Sequence, residues 1–291
     1  MATLLDFRRR IRSVKNTQQI TRAMKFVAAA RLRRAQESAL AARPYATELT
    51  RLLRSIMARI DEPQHPLLVK RPEERILAVV LTGERGLAGA FNTNVLRKAN
   101  EFLRGHKHRK LSVVPVGKKG RDALKRAGFT FAAEYINVLA KVEFSVAREI
   151  AGLVTELYTN DQIDAVYLIF SEFKSVMTAN LKIEKLLPVE PETDAEGGQG
   201  GATQSQVDYI YEQPPEKLLG ALLPKYIEAQ ILRTMLESSA AEYAARMTAM
   251  ESATRNAGEV IQALTLHMNK VRQAAITKEI IEIVSGASHG A

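Results

Sequence analysis

Three glycines form the first pattern in this chain that could carry chemistry. Gly83, Gly86 and Gly89 follow an apolar run typical of a buried strand and precede a helical segment, which is where an α/β protein binds a nucleotide phosphate. Their spacing is G-x-x-G-x-x-G, whereas dinucleotide sites use G-x-G-x-x-G, and the chain has no G-K-[ST] phosphate loop. We therefore predict turn geometry or contact with a neighbouring subunit, and no cofactor.

Histidine and cysteine do not indicate a metal site or a catalytic site in this sequence. His106 and His108 lie in a basic loop, GHKHRK, without a nearby carboxylate or thiolate to complete a metal site. The absence of cysteine excludes disulfides, thiolate ligands and a cysteine nucleophile. Because no Ser–His–Asp order or paired-carboxylate motif stands out, we predict neither a metal site nor a catalytic residue.

Two long heptad patterns must position whatever surface does the work. In residues 4–60 and again in residues 219–275, seam residues recur at alternating spacings of three and four. A pattern kept for about eight heptads is typical of a coiled coil. Because a long segment of different character separates the two, we predict that the N- and C-terminal helices pair antiparallel and form a shaft.

The segment between the heptad patterns predicts a Rossmann-like α/β domain, because apolar runs alternate with helical stretches. We predict strands at 76–82, 111–117, 165–173 and 176–189, a weaker strand around Phe129 to Phe131, and helices at 92–105, 119–128 and 142–160. The chain then divides into an N-terminal coiled-coil helix (1–61), a central α/β domain (73–213, with a flexible loop at 190–206) and a C-terminal coiled-coil helix (214–286).

Local signals suggest where the two long helices begin, bend and end. Thr3 and Asp6 have the spacing of a capping box at the start of the first helix. Pro44 interrupts that helix without breaking its heptad register, so we predict a local kink or a lost hydrogen bond. Gly286 is the predicted stop of the second helix.

Charge is concentrated on the first helix. Residues 1–60 contain 14 Lys and Arg against three acids, while the whole chain has a net charge of +10. A basic stripe of this kind matches an acidic protein surface, nucleic acid or a membrane face.

The far end of the second helix is apolar on more than one face. The residues are Ile276, Ile280, Ile281, Ile283 and Val284. We expect this end to extend beyond the shorter first helix and to meet apolar surroundings, although a two-sided contact within the chain is the alternative.

Three segments resemble the gamma subunit of F-type ATP synthases, in its bacterial form. They are RRIRSVKNTQQITRAMKFVAAARL (9–32), TGERGLAGAFNTNV (82–95) and residues 244–287, which include RNAGEVIQALTLHMNKVRQAAITKEIIEIVSGA. The resemblance implies a rotor without catalytic activity. Its coiled coil stands inside a ring of alpha and beta subunits, and its globular end rests, with the epsilon subunit, on the membrane c ring.

The resemblance also implies contact residues. Met24 and Lys25 match a pair near an acidic loop of the beta subunit, Arg272 and Gln273 match a pair bonded to a catch loop of the hexamer, and Thr277 and Glu279 match polar positions in the same zone. Tyr209 and Glu212 fall where the family's foot meets the c ring. The apolar end resembles the segment held in the hydrophobic bearing of the hexamer.

The resemblance also implies a location in the cell. The family motif begins within ten residues of Met1, so we expect a bacterial, peripheral protein on the cytoplasmic face of the plasma (inner) membrane, with no membrane span and no nucleic-acid partner.

The residues also leave two alternative functions open. The first alternative is a basic coiled-coil tether for membrane or nucleic acid. The second is a nucleotide-binding enzyme built on the central domain.

Overall fold

The computed structural model describes residues 3–57, 65–189 and 214–288. Helix α1 spans Leu4–Met57, and a short 3-10 turn spans Pro66–Leu68. The elements that follow are β1 (Arg75–Leu81), α2 (Phe91–Gly105), β2 (Lys110–Val116), α3 (Lys118–Arg126), α4 (Phe144–Thr159), β3 (Ala165–Phe173), β4 (Ala179–Leu187) and α5 (Pro215–Ser288). The predicted fold class is confirmed: long terminal helices accompany a central mixed sheet.

Helix α1 begins with the predicted capping box. The Thr3 N–H donates to Asp6 Oδ2 at 2.9 Å, and the Asp6 N–H donates to Thr3 Oγ1 at 3.3 Å. Each side chain thus satisfies a backbone donor that the helix leaves unpaired. Pro44 lies inside α1, which continues through it as the heptad register predicts.

The sheet has the strand order β2-β1-β3-β4. Strand β1 runs parallel to both β2 and β3, whereas β4 is antiparallel to β3 and forms the edge. The observed β3 has the bounds that its apolar run predicts, and β4 follows it as a hairpin across the turn near Lys174.

Apolar side chains on the two faces of this sheet pack into two cores, because successive strand residues point to opposite sides. Leu77, Val79 and Leu81 of β1 join the core that contains α4 and parts of α1 and α5. Ala78 and Val80 join the core built on α2 and α3. The sheet is therefore the middle layer of three, as the alternating pattern predicts.

The described residues fall into two compact units. Residues 1–30 and 246–291 form the helical unit, and residues 31–245 form the α/β unit, which contains the sheet. In each unit, segments of α1 and α5 pair. Every described position of the two predicted seams is buried or half-buried. The division into 1–61, 73–213 and 214–286 stays a prediction.

One predicted strand and two predicted boundaries are wrong. The segment from Phe129 to Phe131 forms only an isolated bridge between Val113 and Phe131. It does not become a strand because Pro115 has no N–H to continue the ladder on that edge of β2. Strand β4 begins at Ala179 because the turn takes the preceding residues. Helix α5 runs through Gly286 to Ser288, so Gly286 continues the helix and does not adopt the left-handed conformation of a C-terminal cap.

Candidate partner-binding surface

The helical unit is held together by side chains that meet across the two helices. The rings of Phe7 and His267 lie 5.0 Å apart, and Thr21 Oγ1 lies 2.8 Å from Thr254 Oγ1. As residue numbers rise on α1 they fall on α5, so the pairing is antiparallel. Small and apolar seam residues such as Ala28, which is 1% exposed, pack between these contacts.

Met24 and Lys25 lie in this pairing zone. Met24 is half-buried, and Lys25 Nζ donates to Glu251 Oε1 of α5 at 2.6 Å. The hydrogen bond and charge of Lys25 hold the pKa of Glu251 below its usual range. The lysine side chain is 32% exposed, so it contacts α5 and solvent at once. A contact of Met24 or Lys25 with the hexamer stays a prediction.

The four remaining predicted contact residues of α5 are exposed together. Arg272, Gln273, Thr277 and Glu279 all lie on the solvent side of the helix. A spacing of seven places Arg272 and Glu279 on one face, and a spacing of four does the same for Gln273 and Thr277. The structure therefore presents them as two exposed polar pairs within about two turns of helix, with the exposed Ile276 between the pairs.

Exposed apolar side chains begin among these polar residues, at Ile276, and continue beyond them to Ile283. Ile276, Ile280, Ile281 and Ile283 are between 48% and 71% exposed. The antiparallel pairing places the first residue of α1 opposite about residue 270, so the last part of α5 has no helix beside it from α1. The expectation that this end extends beyond its partner is confirmed, and the alternative of a two-sided contact within the chain is wrong for these four side chains.

The outer face of α1 in the helical unit is strongly basic. Among residues 3–30 the only acid is Asp6, which is already bound in the helix cap. The exposed cations are Arg8, Arg9, Arg10, Arg12, Lys15 and Arg22. Six cations without interspersed acids create a field that attracts an acidic partner.

Side chains of the glycine loop after β1 accept hydrogen bonds from nearby backbone N–H groups that could otherwise bind a phosphate. Thr82 Oγ1 accepts the Gly120 N–H at 2.7 Å, and the carboxylate of Glu84 accepts the Lys118 N–H at 3.0 Å. These are N–H groups of the first turn of α3, which would otherwise point at a phosphate. Gly89 has a φ of 54°, as expected of a glycine that serves a turn.

His106 has a structural environment in the described part of the chain. Its Nδ1 lies 2.8 Å from the carbonyl oxygen of Phe102, and the two rings are 4.4 Å apart. Nowhere in residues 3–57, 65–189 or 214–288 do three or more potential metal-ligating side chains cluster.

Sequence reasoning missed a network of charges around the buried Glu237 in the α/β unit. Arg233 of α5 bonds to Glu184 of β4 at 2.5 Å, and Glu237 lies 3.7 Å from Arg43 of α1. The Glu237 side chain is only 4% exposed, and burial raises its pKa although both arginines oppose the shift. The signal was the run ESSAAEYAA, whose small residues let other elements approach α5 from every side.

Tyr209, Glu212 and the predicted flexible loop at 190–206 lie outside the described residues. In the part of the chain that is described, no helix combines the length and apolar character that crossing a bilayer requires.

These features define a protein that combines two long helices, paired antiparallel, with an α/β domain. A family model described as ATP synthase matches residues 3–289. The ATP synthase gamma chain of Solibacter usitatus is 51% identical over 292 residues, 99% of each chain, and that of Desulforamulus reducens is 48% identical over 288 residues, again 99% of each. The chain belongs to the ATP synthase gamma-chain family.

Solved structures agree with this fold. A chain of the Euglena gracilis mitochondrial ATP synthase, in a structure of OSCP/F1/c-ring in rotational state 3, aligns with a TM-score of 0.66 at 21% identity, covering 98% of this chain and 93% of that one. A chain of the Tetrahymena thermophila mitochondrial ATP synthase central stalk/c-ring aligns with a TM-score of 0.59 at 24% identity, covering 80% and 99%.

Proposed function

We propose that this chain is the rotor subunit of an F-type ATP synthase central stalk. It transmits the rotation of a membrane c ring to a catalytic hexamer of alpha and beta subunits and so couples proton flow to ATP synthesis. The observation that carries the proposal is the 51% identity to an ATP synthase gamma chain, which extends over 99% of both chains and thus over both long helices. The resemblance to chains of central-stalk, rotor and c-ring structures supports it.

The surfaces of the helical unit have the chemistry that this role needs. A basic α1 face suits acidic loops of beta subunits, and the apolar end of α5 suits a hydrophobic bearing. Arg272 and Gln273, with Thr277 and Glu279 beside them, offer donors and acceptors for a catch loop. Met24 and Lys25 contribute a second contact further along the pair. Tyr209 and Glu212 are assigned to the c ring by family resemblance alone.

Coupling requires that the sides of the rotor differ. The α1 side of the helical unit is basic, while the end of α5 is polar on some faces and apolar on others. Each rotor angle therefore presents different contacts to each nucleotide site of the hexamer. A ligand or partner shifts an equilibrium only through its differential affinity for the states, and unlike faces supply that difference.

The chain acts without catalysis of its own in this proposal. Nucleotides bind to the hexamer. In this chain, the N–H groups at the start of α3 that could bind a phosphate instead donate to the side chains of Thr82 and Glu84. The protein is peripheral, on the cytoplasmic face of the plasma membrane, and it also contacts the epsilon subunit. The family assignment favours this role over a nucleic-acid or membrane tether.

Affinity purification of the native complex tests the proposal. A tagged chain is expected to recover alpha, beta and epsilon subunits in fixed stoichiometry from detergent-solubilised membranes, together with the c ring. The isolated chain is expected to hydrolyse no ATP. Recovery of the chain alone, or DNA binding with a steep salt dependence, would instead support the tether. ATP turnover by the isolated chain that is lost in Gly86→Ala would support the enzyme.

A further inference from the structure

The crevice at the carboxyl end of β1 is the place where open α/β sheets bind ligands. β2 and β3 flank β1 on opposite sides, and the chain moves outward to β2 before it returns to β3. Gly83 lies two residues beyond the end of β1 and therefore stands at the topological switch point of the sheet. The crevice can bind a ligand only if no side chain of the protein already occupies it.

One turn of α5 fills the crevice with a carboxylate. Glu242 is 5% exposed, and a Cβ atom added at Gly83 would lie 3.0 Å from its Cδ and 3.2 Å from its Oε1. The same Cβ would lie 3.1 Å from Oδ1 of Asn92, which accepts the Gly83 N–H at 2.8 Å. Position 83 lacks a side chain, and the carboxyl group of α5 uses the space.

Two neighbours of Glu242 on α5 bond to a single loop. Ser239 Oγ donates to the carbonyl oxygen of Leu139 at 3.0 Å, and Tyr243 Oη donates to that of Ala140 at 3.2 Å. Spacings of three and four from Ser239 place all three α5 side chains on one face of the helix. This turn of α5 therefore contacts the crevice and the loop with the same face.

Glu84 connects the loop to the crevice. Its Oε1 accepts the Val138 N–H at 3.1 Å while its Oε2 accepts the Lys118 N–H at 3.0 Å. The residue that follows Gly83 thus holds the loop that α5 grips. Crevice, loop and helix turn form one connected set of polar contacts inside the α/β unit.

We propose that this set, the α5 socket, fixes α5 to the sheet and carries torque between the α/β domain and the helix. The socket consists of Gly83, Glu84, residues 138–140 and the α5 side chains Ser239, Glu242 and Tyr243. The inference rests on the proposed function, because torque has a meaning only for a rotor. Helix α5 is continuous to Ser288 and also carries Arg272, so the socket holds the same helix that is proposed to contact the hexamer. A crevice that elsewhere binds a small ligand here binds a helix.

Gly83→Ala tests the socket, with Gly86→Ala as the matched control. The new methyl group at position 83 would lie 3.0 Å from Cδ of Glu242, so the buried carboxyl group must shift, whereas a Cβ at position 86 meets nothing within 4 Å. Whole synthase carrying each variant is reconstituted in vesicles, and ATP hydrolysis and ATP-driven proton pumping are measured together. We expect Gly83→Ala to hydrolyse ATP but to lose pumping per ATP, and the exchange of the Val138 amide to become at least about threefold faster. Gly86→Ala should match the wild type in both.

A double variant separates a specific contact from general damage. Glu242→Ala removes the carboxyl group, so adding Gly83→Ala to it should cause a smaller further loss than Gly83→Ala causes alone, because only the close contact with Asn92 Oδ1 remains. Pumping and amide exchange in Gly83→Ala equal to those in Gly86→Ala would overturn the socket and leave the proposed function intact. A wild-type complex that lacks the chain would overturn the proposed function itself.

Tyr243→Phe keeps the socket testable if Gly83→Ala does not assemble. It removes only the hydrogen bond to Ala140. Reduced pumping per ATP supports the socket, and unchanged pumping with unchanged Val138 exchange contradicts it.

Discussion

At the scale of single residues, Glu237 shows how burial sets the charge state of a side chain. Its pKa is raised by burial more than Arg233 and Arg43 lower it. A carboxyl group whose pKa is higher in the folded state stabilises the fold at acid pH, and this stabilisation is lost as the pH rises through the folded-state pKa. The ionised Glu237 is therefore a net cost at neutral pH.

Replacing this carboxyl group with an amide should remove the cost. Glu237→Gln is expected to raise the free energy of unfolding by about 1 kcal/mol at pH 7, with a smaller effect towards pH 4. Urea unfolding at both pH values measures it. The control is Glu184→Gln, which removes the negative charge that lies 2.5 Å from Arg233 and should be destabilising. A Glu237→Gln protein as unstable as the control at pH 7 would show that the ion pairs outweigh burial.

Gly117 provides a second residue-scale prediction. It has a φ of 107°, and a Cβ there would lie 1.9 Å from the carbonyl oxygen of Thr82, so Gly117→Ala introduces both strain and a backbone collision. We expect a loss of roughly 3 kcal/mol or more. Gly128→Ala is the control, because Gly128 has a φ of 80° with open space around it and should lose only about 1–2 kcal/mol. Equal losses in thermal unfolding would contradict the collision.

At the scale of elements, the helical unit depends on small seam residues. Ala28 is 1% exposed between the helices, so Ala28→Leu must force them apart, at a cost of about 1–3 kcal/mol. Ala30→Leu, on the exposed face of the same helix, should be nearly neutral. Circular dichroism during thermal unfolding compares the two. Similar melting temperatures for both variants would mean that the seam is not closely packed at Ala28.

The sequence predicted the helices and strands better than it predicted which elements pack against each other. Heptad spacing located both seams because it depends only on which residues face a partner helix, and the apolar run at 165–173 marked β3 for a similar reason. Glu237 and Glu242 were missed because heptad spacing reports one face of α5, whereas the α/β elements cover the other faces. The role of Gly83 could not be predicted, since it depends on a residue 159 positions away in the chain.

At the scale of the whole molecule, the family assignment suggests a binding partner for an exposed surface of α5, and this contact can be tested. Arg272 is exposed and is proposed to bond to the hexamer, so Arg272→Ala should lower ATP-driven torque or assembly while the chain's own stability stays unchanged. Arg97→Ala, an exposed arginine of α2, is the control. Single-molecule stall torque and subunit stoichiometry measure the effect. Normal torque and assembly in Arg272→Ala would remove this residue from the proposed contact.

Direct observation of rotation tests the proposed rotor role most decisively. The hexamer is immobilised, a bead is attached to the α/β domain of this chain at an exposed position such as Arg97, and ATP is added. If this chain is the rotor, the bead rotates in one direction and stops when ATP is exhausted. A stoichiometric complex that hydrolyses ATP at its normal rate while the bead stays still would contradict the claim that this chain is the rotor.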